Sequence, residues 1–271
     1  MMPINARRCV SAIATAGTAA ALVLIGTGAA QASSAHYVAL GDSYASGVGS
    51  GSYTSAGGSC DQSDNAYPVL WADANAPASF TNATCSGATT TSIESDYLSD
   101  LSSSTTLVSL TVGGDNVGFT STLETCILEG TSACESAVSS AESEAKSELP
   151  GELDTLYGDI KADAPNAHVV VIGYPEFYDL SQSGSCIGLS TGSRTAINGG
   201  ADTLDSVIQT AAAAYGFTYV EIRPYFTGHQ ICDGDSYLNS LDIFDLTSSY
   251  HPDQAGQADA YYPAFEAGVA K

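Results

Sequence analysis

Basic side chains are almost missing from this chain. Only seven of its 271 residues are Lys or Arg, against 30 Asp and Glu, which leaves a formal charge of −23 at pH 7. A surface so negative repels nucleic acid and anionic lipid, which excludes a nucleic-acid partner and an electrostatic membrane anchor. Metal-type spacing is missing too. No C-x-x-C pair occurs and the four His are scattered, which argues against zinc. Asp233, Asp235 and Asp242 lie close together but without the twelve-residue calcium loop. Gly47-Val48-Gly49-Ser50-Gly51 lacks the G-x-G-x-x-G register of a dinucleotide loop. The sequence therefore predicts no metal and no cofactor.

Long apolar runs are absent after residue 32. The one before it, residues 10–30, follows Arg7 and Arg8 and closes on Ala30-Gln31-Ala32, the small-x-small pattern of a signal-peptidase site. Ser11, Thr15, Gly17, Thr18, Gly26 and Thr27 interrupt it, so it falls short of the roughly 20 strongly apolar residues that span a bilayer. Residues 1–32 read as a cleaved secretory signal. Residues 33–271 read as a single extracellular domain, expected to be a monomer with no integral membrane segment. Discarding Cys9 leaves an even set, Cys60, Cys85, Cys126, Cys134, Cys186 and Cys232, as suits an oxidising compartment. Six cysteines allow fifteen pairings. Their spacing suggests the local set Cys60–Cys85, Cys126–Cys134 and Cys186–Cys232.

What is present is a run of short β-branched segments separated by helical ones. Strands are predicted at 36–41, 79–84, 106–112, 168–174 and 217–223. Val169 to Ile172 is apolar without alternation, as expected of a strand covered on both faces, and this favours a parallel sheet flanked by helices. From Val138 to Ile160, apolar residues recur at steps of three and four with Pro150 as a break. Further helices are predicted at 193–215 and, after Pro252, at 253–267. The class is α/β.

Four polar signals follow the strands or precede the last helix. Strand one delivers Gly41-Asp42-Ser43-Tyr44 to the carboxyl end of a parallel sheet, where ligands gather. A helix-capping serine looks the same. Gly87, in Cys85-Ser86-Gly87, lets a backbone N–H approach a ligand closely or merely turns the chain. Asn116, in Gly113-Gly114-Asp115-Asn116, offers an amide or an N-cap. His251, before Pro252, offers an imidazole or a structural ring.

Taken together and in this order, VALGDSYASGVGSG, CSGATT, LTVGGDNVGF and YHPDQAGQ resemble the SGNH subgroup of the GDSL esterases and lipases, most closely the small secreted lipases and phospholipases A1 of Streptomyces-type actinobacteria. The resemblance spans the chain after residue 32, its six cysteines included. It implies a three-layer α/β/α fold around a five-stranded, mostly parallel sheet. It also implies Ser43 as nucleophile, His251 as base, and an oxyanion hole from the Ser43 N–H, Gly87 and Asn116. One departure stands out: the family usually places Asp three positions before the histidine, and this chain has Ser248 there. A main-chain carbonyl of Ser248 or Ser249 is expected to orient His251 instead, leaving a Ser–His dyad.

The expected function is a secreted serine esterase or lipase acting on lipid esters, acylglycerols or phospholipid acyl chains. Tyr44, Tyr53, Tyr174 and Phe177 are candidate walls of an acyl groove. A carbohydrate acetyl esterase uses the same four residues, and a non-catalytic extracellular lipid or glycan binder keeps the fold without turnover.

Overall fold

The computed structural model describes residue 1 and residues 34–182, 188–242 and 244–271. Five parallel strands form one sheet: β1 (His36–Gly41), β2 (Ser79–Thr84), β3 (Leu107–Thr111), β4 (His168–Ile172) and β5 (Thr218–Val220), in the order β2-β1-β3-β4-β5. β3 and β4 are buried along almost their whole length, as their unbroken apolar sequences require. β5 is shorter than its pattern predicts. Glu221 turns back to bind the Arg223 backbone and guanidinium, ending the strand at Val220.

Helices cover both faces. In chain order they are α1 (Ser43–Ser46), α2 (Tyr67–Asn75), α3 (Thr90–Asp96), α4 (Phe119–Leu128), α5 (Thr131–Ser147), α6 (Leu149–Asp163), α7 (Thr191–Ala214), α8 (Arg223–Phe226) and α9 (Tyr262–Val269). α2 and α9 pack together on one face, α3, α6 and α7 on the other, with α5 laid over α7. The apolar stripe that runs from Val138 to Ile160 is split as Pro150 demands, into α5 and α6. The single Trp, Trp71, is buried against Tyr37 and Phe265 and joins the α2–α9 layer to the sheet.

The C-terminal helix departs from the regular one expected after Pro252. Residues Gly256–Tyr261 form a π-helical turn, with the Tyr262 N–H reaching back five residues to Gln257. Pro263 has no N–H to give, and a π turn absorbs that missing bond. The turn also sets Gln257 inside the protein. There its side chain accepts from the Tyr67 N–H (2.9 Å) and donates to the Tyr44 carbonyl (2.9 Å).

Strand order fixes where a site can form. From β1 the chain crosses one way to β2, and β3 lies on the other side of β1. The carboxyl ends of β1 and β3 thus border the topological switch point at which open α/β sheets bind ligands. Ser43 follows β1 and Gly114 follows β3.

Candidate active site

The β1–α1 turn is built around Gly41. Its φ is +136°, and a Cβ there would stand 2.6 Å from the Thr111 carbonyl oxygen of β3, so only glycine fits. Asp42 caps the short helix, its Oδ1 accepting from the Tyr44 N–H (3.0 Å). Its other oxygen accepts from the Tyr174 hydroxyl, which in turn accepts from the Gly114 N–H (3.0 Å). Burial and the neighbouring Asp115 carboxyl push Asp42 well above the usual carboxylate range. Between these anchors Ser43 is held at the first helical position, only 9% exposed.

His251 meets it from the far end of the chain. Its Nε2 lies 2.7 Å from Ser43 Oγ, and its Nδ1 donates to the Ser249 carbonyl at 3.1 Å. Of the two serines named from sequence, Ser249 carries that contact. Asp245, the nearest acid upstream, is exposed and turned to the Ser248 N–H and hydroxyl. Burial pushes the His251 imidazole down to about 4, against weaker support from the Ser249 and Thr247 carbonyls and Asp245. The ring is therefore neutral at pH 7, free to accept a proton at Nε2.

Two contacts that the sequence did not reveal hold the histidine in place. Tyr44, next to Ser43, donates its hydroxyl to the Tyr250 carbonyl (2.8 Å), tying the serine turn to the histidine loop. Asn239 donates from both its N–H and its side chain to the His251 carbonyl (2.9 and 3.1 Å). Both join residues about 200 or 12 positions apart, and no local pattern encodes them.

Gly87 lies at the same mouth, at φ +77°. The flanking N–H groups are spent, Ser86 on the Cys60 carbonyl and Ala88 on the Cys85 carbonyl, and the Cys60–Cys85 disulfide pins the turn. Cys126 and Cys134 are also bonded, joining α4 to α5. The expected Cys186–Cys232 pair includes Cys186, which lies outside the described residues.

Asn116 is not at the mouth. Its amide donates to Thr90 Oγ1 (2.8 Å) and Glu152 Oε2 (2.6 Å) and accepts from the Thr90 N–H (3.2 Å), so it fastens the loop after β3 to α3 and α6. Its donors are used inside the protein, which corrects the oxyanion role expected for it. Its neighbour Asp115 faces the cleft instead, and burial pushes that carboxyl up to about 6. Both residues sit in one tight turn, where sequence spacing does not tell which side chain points in.

The cleft measures about 180 Å³ and is lined by Ser43, Tyr44, Gly87, Asp115, Tyr174 and His251 among others. Phe119, Leu123 and Tyr174 are shared with an adjoining apolar pocket that also holds Phe177. Tyr53 does not reach either one. It is 48% exposed, and its hydroxyl accepts from the Gly49 N–H. On the rim, Leu246 is 53% exposed.

Comparison with known proteins gives the same grouping. The model of the GDSL-like Lipase/Acylhydrolase family matches residues 39–258. Lipase 1 of Streptomyces coelicolor is 48% identical over 243 residues, covering 88% of this chain and 90% of its own. Among solved structures, phospholipase A1 from Streptomyces albidoflavus and the extracellular lipase from Streptomyces rimosus each superpose with a TM-score of 0.83, at 50% and 44% identity, covering 86% of this chain and 98% of theirs.

Proposed function

This chain belongs to the GDSL-like lipase/acylhydrolase family and is an ester-hydrolysing enzyme; from that premise we propose that it is a secreted, monomeric lipase that cleaves acyl esters of lipids through a Ser43–His251 dyad. The observation that carries this reading is the 2.7 Å contact of His251 Nε2 with Ser43 Oγ, the imidazole being neutral and backed by the Ser249 carbonyl.

Ser43 Oγ attacks the ester carbon as its proton passes to His251 Nε2. The electron pair of the C=O collects on the carbonyl oxygen, and the N–H groups of Ser43 and Gly87 stabilise it. Among the described residues neither N–H has an acceptor inside the protein. The imidazolium returns its proton to the departing alcohol. A water activated by the same nitrogen then releases the acid. Removing one preorganised donor from such a hole costs on the order of 100-fold in rate.

The acyl chain runs along the cleft, and the apolar pocket of about 40 Å³ behind Phe119, Leu123 and Tyr174 takes up part of it. An acetyl group would leave that pocket empty, which favours lipid over carbohydrate esters. The exposed Leu246 at the edge of the cleft suits a lipid surface. Export fits the disulfides Cys60–Cys85 and Cys126–Cys134, and among the described residues no helix is long and apolar enough to cross a membrane. In this reading residues 1–32 are removed and residues 33–271 work as one domain.

Purified protein is tested on p-nitrophenyl esters from acetyl to octanoyl, on triolein emulsion and on phosphatidylcholine, beside Ser43→Ala. Rates that rise with chain length and vanish in the variant are expected. A sharp fall beyond acetyl supports the carbohydrate esterase, and no turnover together with no Ser43 labelling by an organophosphonate supports the binder.

A further inference from the structure

Asp115 has no part in the scheme above, and unlike Asp42, Tyr44 and Tyr174 in the same cleft its side chain has no hydrogen-bond partner among the described residues. It lines the cleft together with Ser43, Gly87 and His251. Its carboxyl makes no hydrogen bond or ion pair among the described residues. Its charge acts on Asp42, Tyr44 and Tyr174, which places it over the turn that carries the nucleophile. The other ionisable groups around it are His251 across the cleft and the exposed Glu124 of α4 at the outer wall. Glu152 of α6 lies behind, held by Asn116. Among the described residues no Lys or Arg lines the cleft.

We propose that Asp115 is the third oxyanion contact of this enzyme and works only in its protonated form, donating its O–H to the carbonyl oxygen as that oxygen becomes negative. The inference rests on the ester-hydrolase reading with Ser43 as nucleophile.

An ionised carboxylate carries acceptors only. Beside a developing oxyanion, with no cation lining the cleft, it opposes the reaction. A neutral carboxylic acid in the same place is an O–H donor suited to an oxyanion. The surroundings favour the neutral form: burial pushes Asp115 up to about 6, and no donor stabilises its charge. Asp42 differs, since the Tyr44 N–H and the Tyr174 hydroxyl donate to it. The proton balance is simple. Asp115 keeps its proton throughout, while the Ser43 proton travels to His251 and on to the leaving alcohol.

The consequence is a window. His251 must be neutral, which holds above about 4, and Asp115 must be protonated, which holds below about 6. Activity is therefore bell-shaped on the acid side, unlike that of a dyad backed by backbone donors alone.

The test is kcat/KM for p-nitrophenyl butyrate from pH 3.5 to 9, read as butyrate released, for wild type, Asp115→Asn, Asp115→Ala and Glu124→Gln. Wild type is expected to fall about 50-fold between pH 6 and 8, as a single deprotonation near 6 dictates. Asp115→Asn, whose amide donates at every pH, keeps the acid limb and changes less than about threefold over pH 6–8. Asp115→Ala drops on the order of 100-fold at pH 5, and Glu124→Gln leaves the alkaline limb where it was. A wild-type profile flat from pH 5 to 8 overturns the proposal without reference to any variant. So does an alkaline limb that persists in Asp115→Asn or disappears in Glu124→Gln. An active, phosphonate-labelled wild type with a flat profile removes Asp115 alone, whereas no turnover and no labelling at any pH removes the ester-hydrolase reading with it.

Discussion

Replacing Asp245 by Asn separates two ways of holding His251, the base of the proposed dyad. If a carboxylate oriented His251 as in a triad, its amide would favour the wrong tautomer and cost about 10⁴ in kcat. The structure gives Asp245 a different place. It is exposed, bound by the Ser248 N–H (3.2 Å) and hydroxyl (2.7 Å), and reaches His251 only through the field of its charge. A charge acting through water beyond hydrogen-bond reach is worth under about 1 kcal/mol, so kcat/KM should fall by less than about fivefold. That field also supports the imidazolium, so losing it lowers the His251 pKa slightly and moves the acid limb down, never up. The assay is a pH profile of p-nitrophenyl butyrate hydrolysis for wild type and Asp245→Asn, with circular dichroism to show that both fold. A loss of 100-fold or more in a folded variant refutes the carbonyl-held dyad.

Two further substitutions test the frame around the site. Gly41→Ala forces a left-handed φ on a side chain and drives its Cβ to 2.6 Å from the Thr111 carbonyl oxygen; these together cost about 3 kcal/mol, read as a lower denaturant midpoint, and a midpoint equal to wild type would contradict the geometry. Asp205, 1% exposed on α7, is pushed by burial to about 7 while holding the Tyr174 N–H (2.8 Å). The folded state thus binds its proton more tightly than the unfolded chain, and stability declines as pH rises from about 4 to about 7, by at most about 4 kcal/mol for this group. Asp205→Asn should reduce that slope in urea titrations at pH 4.5 and 7.5, and an unchanged slope speaks against the shift.

The sequence made the sheet legible because its strands are covered on both faces. Apolar runs such as Val169 to Ile172 have no other comfortable place, and four of the five strands fall within two residues of their predicted bounds. β5 fails that test because its end is set by a side chain, Glu221 folding onto Arg223, rather than by apolar pattern. That Ser43, Gly87 and His251 meet at one cleft was readable because each stands in a motif with a fixed offset from an element. Asn116 was misplaced for a physical reason: in the turn after β3, adjacent side chains point opposite ways, and the deciding partners, Thr90 and Glu152, lie 26 and 36 residues away. The Tyr44–Tyr250 and Asn239–His251 ties were invisible on the same ground, being contacts between loops with no period of their own.

The missing Asp before His251 and the Asp in the cleft belong to one argument. General-base catalysis is most effective when the base's pKa lies near the working pH. A carboxylate hydrogen-bonded to Nδ1 would raise His251, and at pH 5 the ring would then be largely protonated and unable to take the Ser43 proton. Held only by a neutral carbonyl and pushed down to about 4 by burial, the same ring is roughly 90% neutral at pH 5. A base so weak gives up driving force for proton removal, and the loss must be met by stabilising the oxyanion. Among the described residues no cation lines the cleft to do so, and protonated Asp115 is strongest at that same pH. An Asp restored at position 248 should therefore move the optimum toward neutrality in the Asp115→Asn background and depress activity at pH 5 in the wild-type one.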